Sequence, residues 1–409
     1  MKSCKVRLEE IADPANLREA FLRAAKGKSH KRDAMAFRSE LDRELAMLRC
    51  EILQGEVRVG QTTEFTIWEP KERRIHAPCF CERVLHHALL RPCEADFERW
   101  LIGDTYACRR GLGRDAALRR AEQYARRHRW FLKLDVAKYF DSIPHGVLLG
   151  EVGRRFRDRR VVALWARIVR AYECGPGRGL PIGALTSQHL ANFYLGAVDR
   201  FVKETLRVRG YVRYMDDMAL WSDDRWELRR ARIALEEFVI RRLELRLRSN
   251  VHLQPTARGM DFLGYRVRPG GSVLARASRR RFIRRWLGIE RDLASGRMGE
   301  ATAQRSLLAM TAFVRAASDE GILPRLFSGT GHRAPTASTA AAVGTTRLTT
   351  AAPPTATGTS RATATGTSAS ASPSAHGCRS GWIGEALNRP VSSSRDRAGR
   401  TQQRAARCW

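Results

Sequence analysis

Gly210-Tyr-Val-Arg-Tyr-Met-Asp-Asp-Met-Ala-Leu-Trp221 is the stretch on which the fold turns. Tyr211, Val212, Tyr214, Met218, Leu220 and Trp221 are strand formers. Asp216 and Asp217 interrupt the apolar run. Burying two unpaired carboxylates costs several kcal/mol each, so they must face water or cations. The pattern predicts a hairpin of two buried strands with Asp216 and Asp217 at its turn. On its own, such a pair reads first as a solvated hairpin turn.

A second acid reverses that reading. In Trp130-Phe-Leu-Lys-Leu-Asp-Val-Ala-Lys-Tyr-Phe-Asp141, residues 130–136 read as a strand with Asp135 near its C-terminal end. Functional side chains collect at such ends. Two strands that deliver carboxylates to one sheet edge make a site for hard cations. Mg²⁺ takes oxygen ligands from a few carboxylates and substrate phosphates. Two such ions about 3.5–4 Å apart serve phosphoryl transfer.

Asp135 and Tyr214-Met-Asp-Asp217 together resemble motifs A and C of reverse transcriptases. Leu180-Pro-Ile-Gly-Ala-Leu-Thr-Ser-Gln188 between them looks like motif B, and Asp261-Phe-Leu-Gly-Tyr-Arg-Val267 like the segment joining palm to thumb. The Ile-Gly-x-x-x-Ser-Gln form of motif B is most similar to the enzymes of diversity-generating retroelements. The resemblance implies an α+β right-hand polymerase: N-terminal helices and fingers in 1–128, a split βαβ palm in 129–268 with a fingers insertion near 146–180, and a helical thumb in 269–328. A low-complexity, disordered tail in 329–409 completes the expectation.

The resemblance also implies an RNA-directed DNA polymerase that copies a template-repeat RNA with errors opposite adenine. Two Mg²⁺ ions would be held by Asp135, Val136, Asp216 and Asp217, the three acids being catalytic. Lys71 and Arg73, on a predicted hairpin at 62–78, match the Lys-x-Arg pattern that meets the triphosphate. Phe140 would stand under the sugar of the incoming dNTP and select against a 2′-hydroxyl. Ile182, Gly183 and Gln188 would line the nucleotide pocket, with Gly183 letting the backbone approach template or nucleotide closely. Ser187 and Gln188 read equally as caps of the helix that follows. Arg279, Arg280, Arg284 and Arg285 would meet the phosphates of an RNA–DNA hybrid. A small basic accessory protein is a possible further partner. The alternatives are a retron or group II intron enzyme, or a non-catalytic RNA-binding protein on a polymerase fold.

Composition agrees with a polyanionic partner. Net charge is +31 and the pI about 11.0, with Lys+Arg 74 against Asp+Glu 43. Nucleic acid fits this better than an anionic membrane surface. No apolar run spans a bilayer, and Met1-Lys-Ser-Cys-Lys-Val-Arg-Leu-Glu-Glu10 lacks a signal-peptide core. Nine scattered cysteines fit a reducing cytoplasm. Cys79-Phe-Cys81 near His76, His86 and His87 matches no common zinc spacing.

Periodicity fills in the rest. Helices are predicted in 1–58 and at 80–99, 116–128, 146–172, 187–206 and 226–245, with two more in 276–325. Asp141-Ser-Ile-Pro144 reads as a helix start. Short strands are predicted at 245–249, 251–253 and 262–267. Beyond Ser328 the composition shifts: 31 of residues 334–375, a span of 42, are Ala, Thr or Ser. Thr355-Ala-Thr-Gly-Thr-Ser360 recurs as Thr363-Ala-Thr-Gly-Thr-Ser368. Read one base earlier, such codons give strings rich in Asn, Arg and Gly, so one hypothesis is a template repeat read out of frame. Sequencing the gene tests it: no near-copy of the region encoding 336–371 nearby refutes it. A segment of this composition cannot bury a core. Deleting residues 331–409 is therefore expected to shift Tm by less than about 2 °C; a larger fall would show that the tail packs on the body.

Overall fold

The computed structural model describes residues 4–68 and 72–315, all in one compact unit running to Val343. Lys71 and the whole low-complexity tail lie outside the described residues.

Helices α1 (Leu8–Ile11), α2 (Pro14–Ala25), α3 (Arg32–Ser39) and α4 (Leu41–Gln54) come first. Asp13 caps α2 by accepting from the Asn16 amide at 3.0 Å, with Pro14 at the first helical position. Strands β1 (Thr62–Ile67) and β2 (Arg73–Pro78) form an antiparallel hairpin. Helices α5 (Phe80–Trp100) and α6 (Arg114–Arg127) lead to β3 (Trp130–Leu134). Then follow α7 (Tyr139–Ser142), α8 (His145–Arg155), α9 (Arg159–Arg170), α10 (Leu185–Tyr194) and α11 (Gly196–Arg200), which runs into a π-turn at Phe201–Thr205. The hairpin β4 (Gly210–Tyr214) and β5 (Asp217–Ser222) precedes α12 (Arg225–Leu243) and β6 (His252–Pro255). Strands β7 (Met260–Phe262), β8 (Tyr265–Arg268) and β9 (Gly271–Leu274) lead into helices α13 (Arg276–Ala294) and α14 (Glu300–Arg315).

The central sheet has the order β4-β5-β3-β6 and is antiparallel throughout, with Leu134 opposite Met218 and Tyr214 opposite Asp217. Its residues alternate between two cores. Leu132, Leu134, Tyr211, Met218 and Leu220 join the larger core, which includes α2, α5, α10 and α12. Phe131, Val212, Ala219 and Trp221 join a second core with α6, the β7-β8-β9 sheet, α13 and α14. Burial of both faces explains why these strands read as unbroken apolar runs. Each fully buried large side chain contributes about 1.5–3 kcal/mol. The fold is thus α+β, as expected. Among the described residues no helix is long and apolar enough to cross a membrane.

Some local expectations need correction. Residues 262–267 are not one strand: Leu263 and Gly264 turn the chain at φ 51 and 88, and β9 adds a third strand. Residues 245–249 form no regular strand. Glu244 ends α12 in the left-handed region, and Leu247 makes only an isolated bridge to Val136. The helix predicted over 146–172 is broken at 156–158, where Asp158 caps α9 through the Arg160 amide. Asp141 does not cap α8, which starts at His145 after an N-cap, Pro144, that makes no side-chain bond. Neither Ser187 nor Gln188 caps α10, whose N-cap is Ala184.

Candidate active site

Tyr214 and Asp217 pair directly, so the β4–β5 turn is Met215-Asp216 alone. Met215 sits at φ 55, which costs a non-glycine residue about 1–3 kcal/mol. Arg213 holds it there. This side chain is fully buried, and its Nη1 donates to the Met215 carbonyl at 3.0 Å. The remaining donors are also used. Nε and Nη2 reach the two oxygens of buried Asp199, each at 2.6 Å, and Nη1 and Nη2 reach Oδ1 and the carbonyl of Asn192 at 2.8 and 3.1 Å. Asp199 further accepts from Tyr211 Oη at 2.7 Å and Thr105 Oγ1 at 2.6 Å. The backbone of Arg213 pairs with Asp104 and Tyr106, which seals the β4 edge. Both charges are therefore bidentate and saturated, the condition under which a buried pair is tolerated.

Asp135 follows β3, its carbonyl accepting from the Arg248 amide at 2.8 Å and its Oδ2 lying 2.9 Å from Arg248 Nε. Asp216 faces it from the turn. Burial, and next the neighbouring Asp135 carboxylate, push the Asp216 pKa up to about 6. Among the described residues Asp216 alone of the three acids has no cation within ion-pair range. Asp217 lies on the face of Ala219 and Trp221, its Oδ1 3.2 Å from Lys133 Nζ. That contact has ion-pair distance without hydrogen-bond alignment. Burial also raises the Asp217 pKa to about 6, against the pull of Lys133. Lys133 is anchored by the Asp261 carbonyl at 2.7 Å.

The donor set suits a hard dication. Two crowded carboxylates gain most from a shared positive charge, and Mg²⁺ needs only one or two of them plus substrate oxygens. Among the described residues no three His, Cys, Asp or Glu side chains close a metal site by themselves. Asp135 and Asp216 are brought together; Asp217 is turned to Lys133. Val136 is fully buried and could serve a cation only through its carbonyl.

The motif B loop is sewn to its neighbours by backbone bonds. Leu180 donates to Phe140 at 2.8 Å, and His76 on β2 donates to Ile182 at 2.8 Å. Gly183 has φ 124, and a Cβ there would lie 2.7 Å from the His76 carbonyl. Its close approach is thus to the hairpin backbone. Phe140 and Ile182 are half-buried, while Ser187 is buried. Gln188 Oε1 lies 3.9 Å from Cys108 Sγ. Arg73 is exposed near the hairpin tip, and Lys71 lies outside the described residues. On α13, Arg280, Arg284 and Arg285 are exposed and Arg279 half-buried, opposite buried Phe282, Ile283 and Trp286.

Sequence reading passed over Arg213, Asp199, Lys133 and Arg248. Lys133 could have been found, since period two places it on the strand face of Asp135. Asp199 and Arg248 come from distant segments with no local signal.

Residues 97–267 match the family model of the reverse transcriptase (RNA-dependent DNA polymerase). The protein YkfC of Escherichia coli is 26% identical over 198 residues, covering 45% of this chain and 49% of that one. The group II intron-encoded protein LtrA of Lactococcus lactis is 25% identical over 138 residues, covering 32% and 23%. The chain thus spans half or less of these relatives. A solved apo telomerase from Candida Tropicalis superposes with a TM-score of 0.40 at 8% identity, over 51% of this chain and 47% of that one.

Removing one partner of a buried ion pair leaves the other charge stranded. Asp199→Ala is therefore expected to lower unfolding stability by about 3–5 kcal/mol in chemical denaturation. A loss below about 1 kcal/mol would show that Arg213 finds other acceptors.

Proposed function

We propose that this protein is an RNA-directed DNA polymerase of the diversity-generating type. The observation that carries the reading is the convergence of Asp135 and Asp216 at the edge of an antiparallel sheet, within a segment that matches the reverse transcriptase model. Asp135 and Asp216 hold magnesium, with Asp217 beside them. Bound there, two ions would stabilise the charge that moves when a primer 3′-oxygen bonds to the dNTP α-phosphorus and pyrophosphate leaves. The chain's own residues orient the reactants. Lys71 and Arg73 meet the triphosphate, Phe140 lies under the sugar, and Ile182, Gly183 and Gln188 border the base. Residues 1–128 and the insertion near 146–180 act as fingers, 129–268 as palm and 269–328 as thumb. Arg279, Arg280, Arg284 and Arg285 grip the template–primer backbone.

The relatives support a second reading, an intron-type enzyme, because LtrA is by its name encoded by a group II intron. Ile182 separates the two. An apolar side chain beside the base discriminates by fit alone, about 1–3 kcal/mol, whereas satisfied polar contacts discriminate far more. The Ile182 carbonyl is already fastened to His76, so a new side chain leaves the loop in place. Ile182→Gln is expected to lower misincorporation opposite adenine more than opposite other bases, read by sequencing cDNA from an adenine-rich template. An unchanged adenine error rate in an active variant removes Ile182 from the mechanism and favours the intron-type reading.

The polymerase reading itself rests on Asp216. Asp216→Ala removes a carboxylate held in an unfavourable place, so Tm should not fall. Magnesium-dependent cDNA synthesis should drop by about 10³-fold or more, the scale of losing a transition-state electrostatic contact. RNA binding, carried by Arg and Lys, should persist. Extension at the wild-type rate would end the catalytic assignment.

A further inference from the structure

Helix α12 turns a row of large apolar side chains to solvent. Trp226, Ile233 and Ile240 are 60%, 61% and 50% exposed. They recur every seventh residue and so form one stripe about 21 Å long. The opposite side of the helix is already satisfied: Leu228, Leu235, Val239 and Leu243 are buried, and Phe238 stacks on Phe201 with centroids 4.2 Å apart. The fold gains nothing from the stripe. Single exposed apolar residues are ordinary, but a straight row of three on one helix suggests a docking strip.

The flanking charges identify the occupant. Arg229 and Arg230 stand between Trp226 and Ile233, and Glu236 and Glu237 stand between Ile233 and Ile240; all four are exposed. A stripe flanked by two arginines before its midpoint and two glutamates just after it complements itself when reversed. With a two-fold axis at Ile233, stripe residues equidistant from it meet, while flanking residues meet those on the same side of the seam. Ile233 faces Ile233, Trp226 faces Ile240, Arg229 meets Glu236, and Arg230 meets Glu237. A parallel pairing would set like charges together instead. We propose that this face docks a second copy of the chain, α12 packing antiparallel on its symmetry mate.

The charges make only exposed contacts now. Glu237 pairs with Arg241 at 3.2 Å, Arg230 with Asp224 at 3.5 Å, and Arg229 lies over the Trp226 ring at 5.4 Å. Such pairs contribute little and exchange readily for contacts across an interface. One feature opposes docking: each chain carries +31. Association should therefore strengthen as salt rises toward about 0.15 M, where the screening length is about 8 Å. The stripe points away from the sheet that carries Asp135 and Asp216, so docking leaves that edge free.

An interface one helix wide is small, so a dissociation constant in the micromolar range is expected. Sedimentation velocity on the nuclease-treated full chain should show a dimer at about 10 µM. Arg230→Glu and Glu237→Arg, each alone, should raise the dissociation constant roughly tenfold by opposing like charges. An equimolar mixture of the two single variants should return to wild-type association, because each offers the other its complement. The double variant should do the same. Circular dichroism on each variant confirms the fold. A wild-type monomer overturns the proposal, whether the face is bare or covered by the chain's own tail. Association that nuclease removes assigns the face to RNA and overturns it too. A dimer indifferent to the single changes, or a mixture that fails to restore it, places the contact elsewhere.

Discussion

The Arg213–Asp199 ion pair is the constraint on which the site depends. Both groups are fully buried, so neither tolerates a missing hydrogen bond. Satisfying them recruits Thr105, Asn192, Tyr211 and the Met215 carbonyl. Those groups come from the segment before α6, from α10, from β4 and from the turn. One guanidinium thus ties the helix that follows motif B to the turn that carries Asp216. The strained Met215 conformation persists because its carbonyl is claimed by a charge that has nowhere else to go.

Around this anchor the acids divide the work of bearing charge. Lys133 holds Asp217 and Arg248 holds Asp135, which leaves Asp216 as the carboxylate short of a cation. Removing water raises its energy, and so does the neighbouring charge of Asp135. A dication relieves both effects at once. The surface adds a different kind of electrostatics. A net charge of +31 draws in polyanions at long range and loses that pull as salt rises.

Much of this was legible in the sequence. The Tyr214–Asp217 hairpin was, because two acids inside an apolar strand run leave few shapes. Strand β3 and its acid were legible for the same reason. The two-sided burial of the sheet was written in runs such as Tyr211-Val212 and Met218-Ala219-Leu220-Trp221. Other features were not. Leu263 adopts a left-handed φ that nothing in its type announces, so the β7–β8 hairpin read as one strand. Gly183 read as a close approach to template or nucleotide, whereas the neighbour that the fold places against it is the β2 backbone. Arg213 looked like an ordinary strand residue, since its partner Asp199 is joined to it only by packing.

The central claim is that the edge formed by Asp135 and Asp216 transfers nucleotides. The direct measurement is extension of a DNA primer annealed to an RNA template by the purified full chain, with each dNTP supplied in turn. Template-directed DNA synthesis that requires magnesium and stops on chelation is the predicted result. Protein that binds the hybrid yet adds no nucleotide with Mg²⁺ or Mn²⁺ would contradict it.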